Sequence, residues 1–273
     1  MSAAVTAPTT ARTTLKPIPD ARLSFAGVLD SERVKLSTLR STVWAYALLV
    51  ALQVGVSVLL VLTQVSGEGT TEQAASAAVL TASIGVLFNQ LVISVLGVLV
   101  VTGEYSTGQI RSSFTAVPRR LPVLWAKALV FGVTSFVVGL VAVLAAYLVD
   151  WPLLQGQGVT SSITDIDVWA RLVGAAGYLA MIGLVAFFIG ALVRNTAGGI
   201  AAAMGLLLVV PSVLSFISAE WVTVLQQWLP GSVGQSLFLG SDVFEPWQAV
   251  LVMLGWIAVF ATPAAILMRR RDA

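Results

Sequence analysis

The sequence predicts an all-α membrane protein that crosses the bilayer six times, and three observations lead there. The 273-residue chain is 58% hydrophobic and only 10% charged, where a soluble domain carries roughly 25% charged residues. Six apolar runs reach the length of about 20 residues that a helix needs to cross a bilayer, and continuous runs of this kind specify helices rather than a barrel. Of the fifteen lysines and arginines, all but Arg171 fall on one side of those runs. The positive-inside rule then places both termini and the loop between the second and third runs in the cytosol.

Residues 1–22 (MSAAVTAPTTARTTLKPIPDAR) have no apolar centre, so they are not expected to be a signal peptide and read as a disordered cytosolic tail. Residues 23–273 form the six-span unit, which leaves no room for a separate soluble domain. Ahead of the first span, Phe25, Leu29, Leu36, Leu39 and Val43 form an apolar helical stripe interrupted by Glu32 and flanked by Arg33, Lys35 and Arg40. This pattern suits a helix lying along the inner membrane surface; a basic flank that merely fixes orientation is the alternative.

The spans are expected at 43–64, 78–101, 124–149, 169–193, 198–217 and 247–268. Arg194-Asn195-Thr196-Ala197 separates the fourth from the fifth. Without that joint, one helix of about 49 residues would far exceed the bilayer. Trp44 and Trp125 mark the inner interface, Trp151, Trp169 and Trp247 the outer one, and Trp256 lies inside span six as a packing residue. Trp221, Leu225, Trp228 and Leu229 recur at helical spacing before Pro230-Gly231, so this segment should lie in, or dip into, the outer leaflet. Pro211 and Pro263 are expected to kink spans five and six, and Gly198, Gly199, Ala202, Ala203 and Gly205 suit close helix packing.

The loop from Gly103 to Lys127 is too patterned for a plain connector. Ile110, Phe114 and Val117 fall at i, i+4 and i+7, Gln109, Arg111, Ser112 and Thr115 take the other face, and Pro118 stops the helix. An amphipathic peg between two spans suits a protein pushed or pulled from the cytosol.

Several chemistries are disfavoured. With no cysteine and no histidine, thiol redox chemistry, thiolate metal sites and histidine-based catalysis are not expected. No charged residue lies deep in a predicted span, against an ion-coupled carrier or an intramembrane aspartyl protease. The nearest approach to a phosphate-binding loop runs Gly103 to Gly108 and continues Gln109-Ile110, without the lysine and hydroxyl residue such a loop requires. Hydrolysis of ATP by this chain alone is therefore not expected. Nothing in the sequence points to nucleic acid.

Uncharged polar residues near mid-bilayer remain: Gln53 in span one, Asn89 and Gln90 in span two, Thr134 and Ser135 in span three. Such groups are costly in hydrocarbon unless paired or facing a cavity. They either bond between helices or, for Gln53, Asn89 and Gln90, line a candidate translocation path.

Three pieces together resemble the permease subunits of type-2 ATP-binding-cassette transporters, especially the bacterial drug- and antibiotic-export kind. They are SERVKLSTLRSTVW (Ser31 to Trp44), GEYSTGQIRSSFTAVPRRLPVLWAKAL after span two, and LPGSVGQSLF (Leu229 to Phe238) before the last span. The resemblance covers essentially everything after residue 22. It implies a multi-pass protein of the bacterial plasma membrane that pairs with a second permease subunit, identical or related, above separate cytosolic ATPases. ATP and Mg²⁺ would reside in those partners, with no cofactor in this chain. The resemblance makes Glu104 to Val117 the coupling helix, with Glu104 favouring the helix N-terminus. Ile110 and Phe114 would supply its apolar knob, and Arg111 an ion pair or a lipid phosphate contact. The alternatives for these residues are orientation and burial at the membrane interface. For the whole chain they are a non-transporting regulatory or immunity subunit, or a structural membrane protein without an ATPase.

Overall fold

The computed structural model describes residues 24–64, 79–106, 120–156 and 165–270. Its helices are α1 (Phe25–Thr38), α2 (Arg40–Gln64), α3 (Val86–Ser106), α4 (Arg120–Gly156), α5 (Ile166–Val193), α6 (Thr196–Met204), α7 (Val210–Leu214), α8 (Glu220–Gln227), α9 (Pro230–Leu239) and α10 (Pro246–Arg270). Six segments are long and apolar enough to span a membrane: Arg40–Thr63, Val79–Tyr105, Leu121–Gly156, Ile166–Val193, Thr196–Leu214 and Pro246–Arg269. Each overlaps one predicted run. The chain is thus an all-α, multi-pass membrane protein. One end of the bundle carries Lys35, Arg40, Lys127, Arg194 and Arg269 (the basic end), the other Asp165, Asp167, Glu220, Asp242 and Glu245 (the acidic end).

The fourth span is the core. In its most apolar window 72% of residues are buried, against 17% in spans five and six, whose faces are left for lipid or a partner. Helix α5 reaches the centre because glycines let its neighbours approach. A Cβ on Gly97 of α3 would lie 2.5 Å from the Gly183 carbonyl oxygen of α5. Beside this contact Phe131 and Phe187 stack at 6.0 Å, and Phe187 meets Phe188 edge-on at 5.1 Å. Without a hydrophobic drive between helices in lipid, dispersion at such close contacts holds the bundle together.

Local chemistry fixes the joints. Ser24 caps α1 by accepting from the Gly27 amide at 3.1 Å, and Leu39, in extended conformation, separates α1 from α2. The expected hairpin between spans four and five forms at Arg194, which adopts the left-handed conformation (φ 56°), and Asn195, whose side chain accepts from the Gly198 amide at 2.9 Å. Span five accommodates Pro211 through a π-helical turn at Gly205–Val209, which shifts the hydrogen-bond register just before the proline. In the small-residue patch, Gly199 packs on Val98 and Gly190, whereas Gly205 has no close neighbour.

The segment expected at the outer leaflet folds as two short helices, α8 and α9, the second of which packs on α10 and α5. The Trp256 indole donates to the Trp228 carbonyl at 2.9 Å and the ring stacks on Phe260. Trp256 lies ten residues into α10, about 15 Å from its start, so the turn between α8 and α9 sits at that depth. Gly234 of α9 rests on the Tyr178 ring and Gly174 on the Leu237 carbonyl, which fixes α9 along α5.

Two expectations change. Span three runs past residue 149 to Gly156, and Asp150, just beyond the expected end, lies fully buried in that helix. Its carboxylate lies beside the Ser57 and Thr81 hydroxyls, but neither closes a hydrogen bond of full geometry on it; the Ser57 hydroxyl instead donates to the Val54 carbonyl at 3.0 Å. The face of α1 also differs. It buries Val28, Glu32 and Leu36, while Phe25 and Leu39 of the predicted stripe stay exposed. Glu32 does not interrupt the packed face; it is its centre, because Lys35 one turn along α1 and Lys127 of α4 neutralise it.

Candidate functional site

Four charges that lie far apart in the chain meet at the basic end. Lys35 Nζ lies 2.8 Å from Glu32 and 3.1 Å from Glu104. Lys127 Nζ lies 2.8 Å from the same Glu104 oxygen and also bonds Glu32 Oε2. Each lysine touches both carboxylates, so the four side chains close a ring in which signs alternate. Glu32, Glu104 and Lys127 are all buried. Removing charges from water is costly, and it is offset here because each ammonium meets two carboxylates at hydrogen-bonding distance. For Lys35, burial opposes the charge, but the hydrogen bond to Glu32 and the negative charge of Glu104 outweigh it and hold the pKa above the ordinary 10.5.

The ring joins three elements. Glu32 and Lys35 come one turn apart on α1, Glu104 from the last turn of α3, and Lys127 from the second turn of α4. Glu104 and Lys127 stand on the two stems of the 107–119 segment; α1 packs against α4 and reaches α3 through the Lys35–Glu104 ion pair. Since the charges balance, the ring offers no net field to a ligand; it is a mechanical tie. A cavity of about 360 Å³ opens beside it, lined by the four charged residues together with Leu39, Leu96 and Leu99.

Of the predicted coupling residues, Glu104 is brought into the ring, where both lysines occupy it and the protein covers it. It therefore contacts other parts of this chain. Ile110, Arg111 and Phe114 lie outside the described residues. Glu32 and Lys127 have sequence signals that were not read as a site: one acid inside an apolar helical stripe and one base inside an apolar span. Each alone resembles an orientation signal, and only the pairing gives them meaning.

The mid-membrane amides meet one another. Gln53 donates to the Ala82 carbonyl at 2.6 Å, and Asn89 donates to Gln53 Oε1 at 2.7 Å and to the Leu49 carbonyl at 3.0 Å. This cluster repairs a break in span two, where the chain turns at Gly85 between the helical segments 79–84 and Val86–Ser106. The Gln53 side chain lies against Gly85, at 2.9 Å from where a Cβ would be, and takes the carbonyl that the turn frees. Gln90 donates to the Leu87 carbonyl at 2.8 Å and accepts from the Tyr178 hydroxyl, tying span two to span four. Gln53, Asn89 and Gln90 are all buried, and hydrogen bonding between helices is what they do in this structure. Tyr46 and Ser135 make a similar tie at 3.0 Å.

Fold and site together define a six-span helical membrane protein with an ionic clamp at one end. No protein-family model matches the chain, and no curated protein matches it.

Proposed function

We propose that the chain is the membrane-spanning permease subunit of a type-2 ATP-binding-cassette transporter. It sits in the bacterial plasma membrane with both termini cytosolic and exports a hydrophobic or amphipathic substrate. A separate cytosolic subunit binds ATP and Mg²⁺, and a second permease subunit completes the pathway. The observation that carries this reading is the ring of Glu32, Lys35, Glu104 and Lys127. It clamps both stems of the 107–119 loop to the helix that precedes span one, so force applied to the loop reaches spans one, two and three together. On this reading Ile110, Arg111 and Phe114 meet the ATPase, and Glu104 passes the displacement inward. Gln53 and Asn89 enter the substrate path only if their mutual bonds open during the cycle. The direction, export, rests on resemblance.

The test begins with purification from the native membrane, where a P-loop ATPase should co-purify. The pair is then reconstituted in vesicles and ATP-driven efflux of a fluorescent amphiphile is measured. The Glu104→Gln/Lys127→Met double variant keeps the ring neutral but cuts its link between α3 and α4. It should retain ATP hydrolysis and lose most transport. Absence of any co-purifying ATPase, or transport at the wild-type rate in the double variant, would overturn the proposal.

A further inference from the structure

Arg171 is the one basic residue at the acidic end, and it borders a cavity larger than the one beside the ring. That cavity, of about 590 Å³, lies between α5, the end of α9 and the start of α10. Among the described residues Arg171 makes no ion pair, although Asp167 stands one turn away on the same helix and Glu245 lies across the cavity. Trp247 also lines it and Trp169 flanks Arg171 in sequence; tryptophans concentrate at the headgroup level of a bilayer, which sets the depth of this mouth. Phe136, Phe244 and Val250 add apolar lining to the same cavity.

On α5 the cavity touches Ala170, Gly174, Gly177 and Met181 at helical spacing; Leu237 of α9 covers Gly174, and the open part of the stripe is at Gly177. From Asp167 to Met181 the groove runs about 21 Å along the helix. That exceeds the roughly 15 Å depth of one leaflet, half of a ~30 Å hydrocarbon core. At Gly177 nothing lies within 4 Å of where a Cβ would stand, so the floor there is open.

We propose that this groove binds one phospholipid of the adjoining leaflet, with an amine-bearing headgroup of the phosphatidylethanolamine class. Arg171 pairs with the phosphate, Asp167 and Glu245 take the ammonium, and an acyl chain lies along the open stripe at Gly177. Charge complementarity selects this occupant. One cation flanked by two carboxylates matches a phosphate with an attached amine, and suits a purely anionic headgroup less well. An amine-free polar headgroup would leave the carboxylates unmatched, and a fully aqueous ligand would not need a groove that continues through a leaflet.

The full chain, purified in mild detergent with phosphatidylethanolamine, phosphatidylglycerol or phosphatidylcholine, is examined by native mass spectrometry for retained lipid and oligomeric state. Wild type should retain one phosphatidylethanolamine per chain in preference to the other two. Arg171→Gln should lower retention of every phospholipid on the order of tenfold. Asp167→Asn/Glu245→Gln should erase the preference for the amine while leaving phospholipid bound. Gly177→Leu should fill the groove and expel lipid while melting as wild type does in lipid-free detergent, because no neighbour occupies that space. Equal retention in wild type and Arg171→Gln would overturn the proposal. So would a lipid-free dimer that Gly177→Leu dissociates, because the groove would then be an interface between two copies of this chain.

Discussion

Lysine 127 is the most exacting place to test the ring. Lys127→Met keeps the length of the side chain and its apolar stem but removes the charge. Glu32 and Glu104, 3% and 10% exposed at their side chains, then share Lys35 alone. One carboxylate is left without a counter-charge away from water. Breaking a buried pair in this way costs about 3–5 kcal/mol. A single domain of 150–250 residues shifts by roughly 2–4 °C per kcal/mol, so a loss on the order of 10 °C in melting temperature is expected. Adding Glu104→Gln leaves Glu32 and Lys35 as a balanced pair and should restore most of that loss. The assay is thermal unfolding of the wild type, both single variants and the double variant in one detergent, read as a double-mutant cycle. A Lys127→Met protein that melts within about 1 °C of wild type, or a double variant no better than Lys127→Met alone, would refute the ring as a buried charge network.

Three further outcomes follow from the packing. Asn89→Leu removes the donor to Leu49 and Gln53 at a buried position, and should cost about 1–3 kcal/mol, measured by thermal melting in detergent. Gly97→Ala drives a methyl group toward the Gly183 carbonyl, and should cost about 1–3 kcal/mol through overpacking, seen as lower melting temperature and lower yield of monodisperse protein. Asp150→Asn removes a buried carboxylate that has no counter-charge, keeping its shape beside the Ser57 and Thr81 hydroxyls, so stability should equal or exceed that of wild type, by up to about 2 kcal/mol. A marked loss in Asp150→Asn would show that the charge itself is used.

The membrane class and the six spans were legible in the chain because bilayer crossing is a one-dimensional requirement. A helix must be apolar over about 20 residues, whatever it later packs against. The Arg194-Asn195 hairpin was equally local: a polar pair between two apolar runs, with a cap residue in place. The short helix α8 was visible in the spacing of Trp221, Leu225 and Trp228.

What the sequence could not decide is which polar groups meet. Glu32 looked like a flaw in an apolar stripe, Lys127 like a topology signal and Glu104 like a helix-end charge. They stand up to 95 residues apart, and no local pattern links them. Only when α1 packs against α4 and the end of α3 comes within ion-pair reach does burial force each charge to find its opposite. The same holds for Gln53 and Asn89, whose alternatives, path or tie, differ only in what lies across from them, and for Asp150, which burial by three spans takes away from water. Hydropathy along one helix determines that it enters the membrane; the contacts between helices determine which of its polar atoms are satisfied there.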